Sequence, residues 1–226
     1  MEKNMSQRVA VVLSGCGVYD GAEIYEATLT LLRLSQAGAQ VQCFAPDIPQ
    51  LHVINHLTGE VSATDTRNVL VEAARLARGD IKPLTAAQAE HFDALIVPGG
   101  FGAAKNLCDF ATTSVVAGAA LTVEKDFLAF AQAMHQAGKP IGLICIAPVM
   151  AAAICGVGVK TTIGNDEDTV AAVTATGAVH ITCSVHEICI DRDNKLVTTP
   201  AYMLANSIAE ANNGISQLVD EVLAMA

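Results

Sequence analysis

The chain has 226 residues, 52% of them hydrophobic and 16% charged, with 13 Lys and Arg against 23 Asp and Glu for a formal net charge of −10. So apolar a chain is neither disordered nor collagenous, and it is long enough to bury a core without staples. The missing basic runs argue against nucleic acid and against an anionic membrane surface.

No apolar run approaches the ~20 residues of a membrane span. Residues 1–7 read as a flexible leader, too short and acidic for a signal peptide. The cysteines at 16, 43, 108, 145, 155, 183 and 189 are odd in number, irregularly spaced and without C-x-x-C. This pattern disfavours a disulfide framework and a structural zinc site, and the expectation is a reduced, cytoplasmic protein that binds no metal.

In chain order, the apolar run 8–14 reads as a strand buried on both faces. A helix over 22–37 closes at Gly38, and a strand follows at 40–44. Residues 48–61 suggest a small hairpin around Leu57-Thr58-Gly59-Glu60. A helix capped by Thr64 or Asp65 runs to Arg78. Further strands are expected at 92–97 and 140–145, with a loop at 111–120 and a helix over 123–136 between them. A helix then starts at once at 146 and runs to 155. A strand at 159–163, a helix over 166–176, a hairpin pairing 188–190 with 195–199, and a helix over 201–225 broken near Asn212-Asn213-Gly214 complete the chain. The alternation gives an α/β sandwich with a mostly parallel central sheet, organised as one domain over 1–226.

Ligands of such sheets bind at the carboxyl ends of the strands, which directs attention to three turns. Cys145 lies where a buried strand becomes a helix without a loop, the geometry of a nucleophile elbow. The helix N-terminus would then lower its pKa, the competing reading being an inert cysteine at a strand end. Gly99 and Gly100 allow close backbone approach, and the amides of Gly100 and Ile146 are candidate oxyanion donors.

Gly15-Cys16-Gly17 loosely matches a dinucleotide fingerprint, with Asp47 at the ribose position. Asp20 occupies the place of the third glycine, and the nearby carboxylates disfavour a pyrophosphate. Glu23 and Glu26, three apart on a helix, are better read as acid/base groups beside a thiol. The histidines show no ligand spacing and read as surface residues.

Together these turns resemble a known superfamily. Val97-Pro98-Gly99-Gly100-Phe101-Gly102-Ala103-Ala104-Lys105-Asn106-Leu107 and Gly142-Leu143-Ile144-Cys145-Ile146-Ala147-Pro148 look like the PfpI and Parkinson-disease deglycase group, related to class I glutamine amidotransferases. Residues 14–26, 53–60, 66–70 and 197–205 narrow the resemblance to its enhancing-lycopene-biosynthesis (ElbB) family.

The resemblance implies a flavodoxin-like three-layer sandwich and a homodimer. It also implies a cofactor-free glyoxalase that turns glyoxal, a small aldehyde, into glycolate. Cys145 is then the nucleophile and Glu26 its partner, with Glu23 one turn earlier. Gly99, Gly100 and Ile146 hold the oxyanion. Apart from the resemblance, Cys16 is an expected site-lining residue because its turn lies at the same end of the sheet, and Asn68 because residues 48–91 are longer than in compact superfamily members and offer Arg67 and Asn68 as a cover. Deglycation of glyoxal adducts, or a redox-sensing or binding role linked to isoprenoid biosynthesis, are the alternatives. Where some superfamily members carry a His after the nucleophile this chain has Ile146, and Thr161-Thr162-Ile163-Gly164 holds none, so a Cys-His-acid triad is not implied.

Overall fold

A computed structural model describes residues 6–226. Seven strands form the main sheet in the order β3-β2-β1-β4-β5-β9-β8. They are β1 Arg8–Val12, β2 Gln40–Ala45, β3 Ile81–Pro83, β4 Ala94–Val97, β5 Ile141–Ile144, β8 Cys189–Asp191 and β9 Leu196–Thr199. All pair in parallel except β8 with β9, which form the expected hairpin. The short strands β6 Lys160–Thr161 and β7 Val179–His180 pair separately.

Successive side chains of a strand point to opposite faces, so a sheet covered on both sides needs apolar residues at every position. In β1, Ala10 and Val12 enter one core while Val9 and Val11 enter the other. In β4, Leu95 and Val97 split from Ala94 and Ile96 in the same way. The helices are α1 Ile24–Gln36, α2 Val69–Ala73, α3 Phe101–Asn106, α4 Lys125–Gln136, α5 Ala151–Cys155, α6 Glu167–Ala175 and α7 Ile208–Met225. Residues of α3, α4 and α5 pack on the first face, and those of α1, α2 and α7 on the second. The chain is therefore a flavodoxin-like three-layer α/β sandwich.

Several expectations are corrected. The helix placed at 64–78 is only Val69–Ala73, with turns to Gly79, because Asn68 is its N-cap: Asn68 Oδ1 accepts the Val71 N–H at 3.0 Å. The final helix is unbroken at Asn212-Asn213-Gly214 and instead begins after Ala201–Met203, at Ser207. Gly214 is there for contact, since a Cβ on it would lie 2.3 Å from Thr199 Oγ1. Strands β3 and β7 are too short to carry a periodicity. The flexible leader expected at 1–7 lies, for 1–5, outside the described residues. Gln7, within it, is tied down: its Nε2 donates to Leu223 O at 2.6 Å and its carbonyl accepts the Gln40 N–H at 2.8 Å.

Between β1 and β4 the strand order reverses, opening a crevice at the carboxyl ends of the strands. The turns after β1, β4 and β5 meet there.

Candidate active site

Cys145 follows β5 directly, and its N–H continues the ladder to Thr199 O at 2.9 Å. Its φ is +61°, an uncommon left-handed value for a residue with a Cβ. Residues in such regions persist when their surroundings over-determine them, at about 1–3 kcal/mol each. Here the surroundings are β9 on one side and the helical turn Ala147–Met150 leading into α5 on the other. The thiol is buried.

Glu26, in the first turn of α1, is fully buried at 0% exposure and reaches the same point. Gly99 N–H donates to its Oε2 at 2.9 Å, and Tyr202 N–H donates to its Oε1 at 3.2 Å. Its carboxyl lies within hydrogen-bonding reach of the Cys145 thiol. Gly99 stands where nothing larger fits. A Cβ on it would sit 2.5 Å from Cys145 Cβ and 2.8 Å from Glu26 Oε2. Gly100, at φ +91°, would drive a Cβ to 2.3 Å from Glu23 N.

Glu23 is the N-cap of α1, its Oε2 accepting the Glu26 N–H at 2.7 Å. Its own N–H donates to Gly99 O at 2.9 Å, locking the start of α1 to the end of β4. The i, i+3 carboxyls thus take different positions: Glu26 meets the thiol and Glu23 faces the cavity beside it.

Electrostatics correct one expectation. Burial pushes the Cys145 thiol well above its ordinary value, and the Glu26 charge adds to this. N–H groups of Gly100 and Ile146 at the sulfur pull the other way but do not prevail. The elbow alone therefore does not make a free thiolate, because desolvation outweighs two backbone donors.

Burial, with help from the Glu23 charge, raises Glu26 to about 8, against the N–H groups of Tyr202 and Gly99 and the Cys145 side chain. Glu26 therefore carries a proton in neutral solution, and its charge is then absent from the thiol's surroundings. Burial raises Glu23 as well, opposed by N–H groups of the first helical turn.

The thiol opens into a pocket of about 460 Å³. Val18, Phe101, Phe110 and Met203 form apolar walls, and Glu23, Asp166, Thr169 and Tyr202 supply polar groups. Sequence reasoning assigned no role to Tyr202, whose N–H orients Glu26. It also missed Asp166 and Thr169 at the start of α6, although the helix start at 166 was legible and Asp166 does cap it, accepting the Thr169 N–H at 2.8 Å.

Two expected site residues lie elsewhere. Asn68 caps α2 and donates to Asp47 Oδ1 at 2.7 Å. Cys16 is half-buried among the charges of Arg75, Glu72, Asp20 and Arg67. Neither lines the Cys145 pocket. Asp20 is also directed away, its Oδ2 accepting the Ile54 N–H at 2.8 Å. Among the described residues, no group of three or more His, Cys, Asp or Glu could hold a metal ion. No helix there is long and apolar enough to cross a membrane.

No protein-family model matches the chain. Solved structures share its architecture. An isoprenoid biosynthesis protein with an amidotransferase-like domain from Ehrlichia chaffeensis superposes with a TM-score of 0.89 at 33% identity, over 97% of this chain and 99% of that one. Drosophila melanogaster DJ-1beta, at 16% identity and a TM-score of 0.54 over 98% and 96% of the two chains, shares the fold.

Among curated proteins, the chain is 49% identical over 225 residues to the human mitochondrial glutamine amidotransferase-like class 1 domain-containing protein 3, covering 96% of this chain and 82% of that one. It is 48% identical over 225 residues to the rat mitochondrial ES1 protein homolog, with 96% and 83% covered. The zebrafish mitochondrial ES1 protein is 36% identical over 211 residues, with 86% and 76% covered. All three are mitochondrial, which overturns the cytoplasmic expectation: cysteine usage reports a reducing compartment, and that criterion does not separate the cytosol from the mitochondrial interior. At these identities and coverages, the chain belongs to the family of glutamine amidotransferase-like class 1 domain-containing protein 3 and the ES1 proteins, built on the DJ-1/PfpI fold.

Proposed function

We propose that the chain is a cofactor-independent glyoxalase that converts glyoxal to glycolate at Cys145. The observation that carries this reading is the buried Glu26 carboxyl, raised to about 8 and held against the thiol by two backbone N–H groups. A carboxyl with that pKa is an acid in neutral solution and, once ionised, a much stronger base than an ordinary carboxylate. Aldehyde isomerisation needs both abilities from one group. The sequence resemblance to the ElbB family supports the same chemistry.

In this mechanism the Cys145 sulfur bonds to one aldehyde carbon and the thiol proton passes to the carbonyl oxygen, giving a hemithioacetal. N–H groups of Gly100 and Ile146 stabilise the developing oxyanion. Glu26, in the fraction of molecules whose carboxyl has lost its proton to solvent, removes the proton from the sulfur-bearing carbon and returns it to the adjacent carbon of the enediol so formed. The first carbon is thereby oxidised to a thioester and the second reduced to an alcohol. Water cleaves the C–S bond, releasing glycolate and restoring the thiol. The electrons stay within the substrate, so the sequence of steps balances without an external redox partner. Glu23 holds the helix start that aims Glu26. In keeping with the resemblance, the working form is a homodimer.

Proton NMR of the native chain with glyoxal tests the proposal. Glycolate should accumulate catalytically with the native protein and not with Cys145→Ala. Turnover retained in Cys145→Ala would sink the mechanism. Release of amines from preformed glyoxal adducts, without turnover of free glyoxal, would favour deglycation.

A further inference from the structure

Resting on the reading that Cys145 and Glu26 react together, we infer that Ala201 is a positioning residue: its left-handed backbone aims the Tyr202 N–H at Glu26, so that one short turn after β9, residues 199–202, holds both groups.

The hold is double. Thr199 O accepts the Cys145 N–H at 2.9 Å, and Tyr202 N–H donates to Glu26 Oε1 at 3.2 Å. A strand rises ~3.3 Å per residue, so continued extension would carry Tyr202 about 10 Å beyond Thr199. Instead Pro200 enters the right-handed region, at φ −65° and ψ −35°, and Ala201 the left-handed one, at φ +43°. Such a right-then-left pair turns backbone N–H groups toward an anion. Here the group so faced is the Glu26 carboxyl.

Among the described residues, those with a Cβ and a positive φ are Arg78, Cys145, Lys195 and Ala201. Arg78 is exposed and Lys195 half-buried, each in a turn. Cys145 and Ala201 are buried, and they follow β5 and β9, which pair in parallel. Ala201 is 0% exposed and belongs to the core that also holds Ala211 and Ile215 of α7. Behind it the turn is closed, since Leu204 and Ala205 N–H donate to Ala201 O at 3.0 and 2.8 Å. Its start is fixed too: Thr199 Oγ1 donates to Glu187 O at 3.0 Å, in space that Gly214 leaves open. Pinned on both sides, Ala201 keeps a conformation that is unfavourable for a residue with a Cβ.

A backbone substitution tests the hold without changing a side chain. Tyr202 is replaced by its α-hydroxy acid, which exchanges the N–H for an ester oxygen. The ring, packed on Tyr25 at 6.1 Å between centroids, stays in place. Infrared difference spectra against pH follow the carboxyl C=O band of Glu26, identified by its loss in Glu26→Gln. A donor to the charged form lowers a carboxyl's midpoint. Its removal should therefore raise that of Glu26 by about one unit, the scale of a hydrogen bond to a charged group. Glu23, Cys145 and the Tyr202 phenol are the titratable groups facing Glu26, and all remain.

Two side-chain variants test Ala201 itself. A β-branched residue is an outlier at positive φ, so Ala201→Val should turn the N–H away and raise the midpoint as the ester does. Ala201→Gly takes the same φ freely and should keep the native midpoint. A native midpoint in the ester or in folded Ala201→Val overturns the inference, as does Ala201→Gly shifted as far as the ester. The ester and Gly results decide even where Ala201→Val does not fold. In glyoxal turnover, the acid limb of kcat/KM should move to higher pH together with the midpoint. The expected midpoints without any turnover of glyoxal by the native chain would sink the glyoxalase reading and leave the role of Ala201 standing.

Discussion

Cys16 and Cys145 both stand at the carboxyl ends of parallel strands, after β1 and after β5, each in a turn that leads to a helix. Around Cys16 the left-handed backbone is taken by its neighbours, Gly15 at φ +107° and Gly17 at φ +132°. At the end of β5 the cysteine takes it itself, at φ +61°. Glycine relieves the strain at the first turn, whereas at the second the strain is kept and the side chain is aimed by it.

Their surroundings diverge further. Cys16 is half-buried beside an ion cluster in which Glu72 pairs with Arg75 at 2.9 Å and with Arg67 at 3.7 Å. Cys145 is enclosed by one acid, by the N–H of Gly100 from the turn after β4 and by the N–H of Ile146 in its own turn. A strand end and glycines are therefore not sufficient for a reactive centre. Convergence of three separate elements on one atom is what distinguishes the two.

The largest break in this comparison comes from Cys145→Ala. It should lower kcat/KM for glyoxal at least about a thousandfold, since it removes the atom that bonds to substrate in the proposed mechanism; glycolate formation followed by NMR measures it. Glu26→Gln should follow, at about a hundredfold to ten-thousandfold, the range of a lost acid/base group. This variant also tests the burial argument through stability.

Glu26 has an ordinary value of 4.5 and is raised to about 8 in the fold. Between those values the folded chain holds a proton that the unfolded chain has released, so stability falls as pH rises across that window. Thermal melts at about pH 5 and about pH 8 should show this fall in the native chain and a flatter dependence in Glu26→Gln. An unchanged slope would mean that Glu26 is not the group held protonated.

Gly99→Ala comes next, because its Cβ would press on Cys145 and Glu26 together. Overpacking of this kind costs about 1–3 kcal/mol. That corresponds to a fall of roughly 2–4 °C in Tm per kcal/mol for a chain of this size. Turnover should drop along with stability as the thiol and the acid are forced apart, and calorimetry beside the NMR assay checks both.

Much of the frame was legible because it rests on periodicity. After the exposed Arg8, the strands ending at Val12, Val97 and Ile144 carry no polar side chain, as a sheet covered on both faces requires. The helix expected over 166–176 is present as Glu167–Ala175, whereas the cap expected at Thr64 or Asp65 fails, since Asn68, a few residues on, offers the same chemistry and takes it. Gly214 read as a helix break because its true reason, the approach of Thr199 from β9, is tertiary.

The same divide runs through the site. Cys145 was legible as a strand-to-helix turn, and Gly99 and Gly100 as backbone without side chains. The part of Tyr202 could not be read, because its N–H reaches Glu26 across 176 positions of sequence. Nor could the direction of the thiol's shift, which depends on how much protein surrounds it rather than on the residues beside it.

The smallest expected effect is the sharpest control on the comparison. Cys16→Ala should change glyoxal turnover by less than about twofold, as substitutions outside a site usually do. Its thiol, like that of Cys145, is raised by burial, though Arg75 and Arg67 oppose the shift and Glu72 and Asp20 support it. A shifted thiol is therefore common to both cysteines and cannot by itself mark the active one. What separates them is the Glu26 carboxyl at the Cys145 thiol, which in the proposed mechanism returns a proton to the substrate. If Cys16→Ala lost activity as severely as Cys145→Ala while keeping its native Tm, the site would extend to the turn after β1, and convergence on Cys145 alone would be too narrow an account.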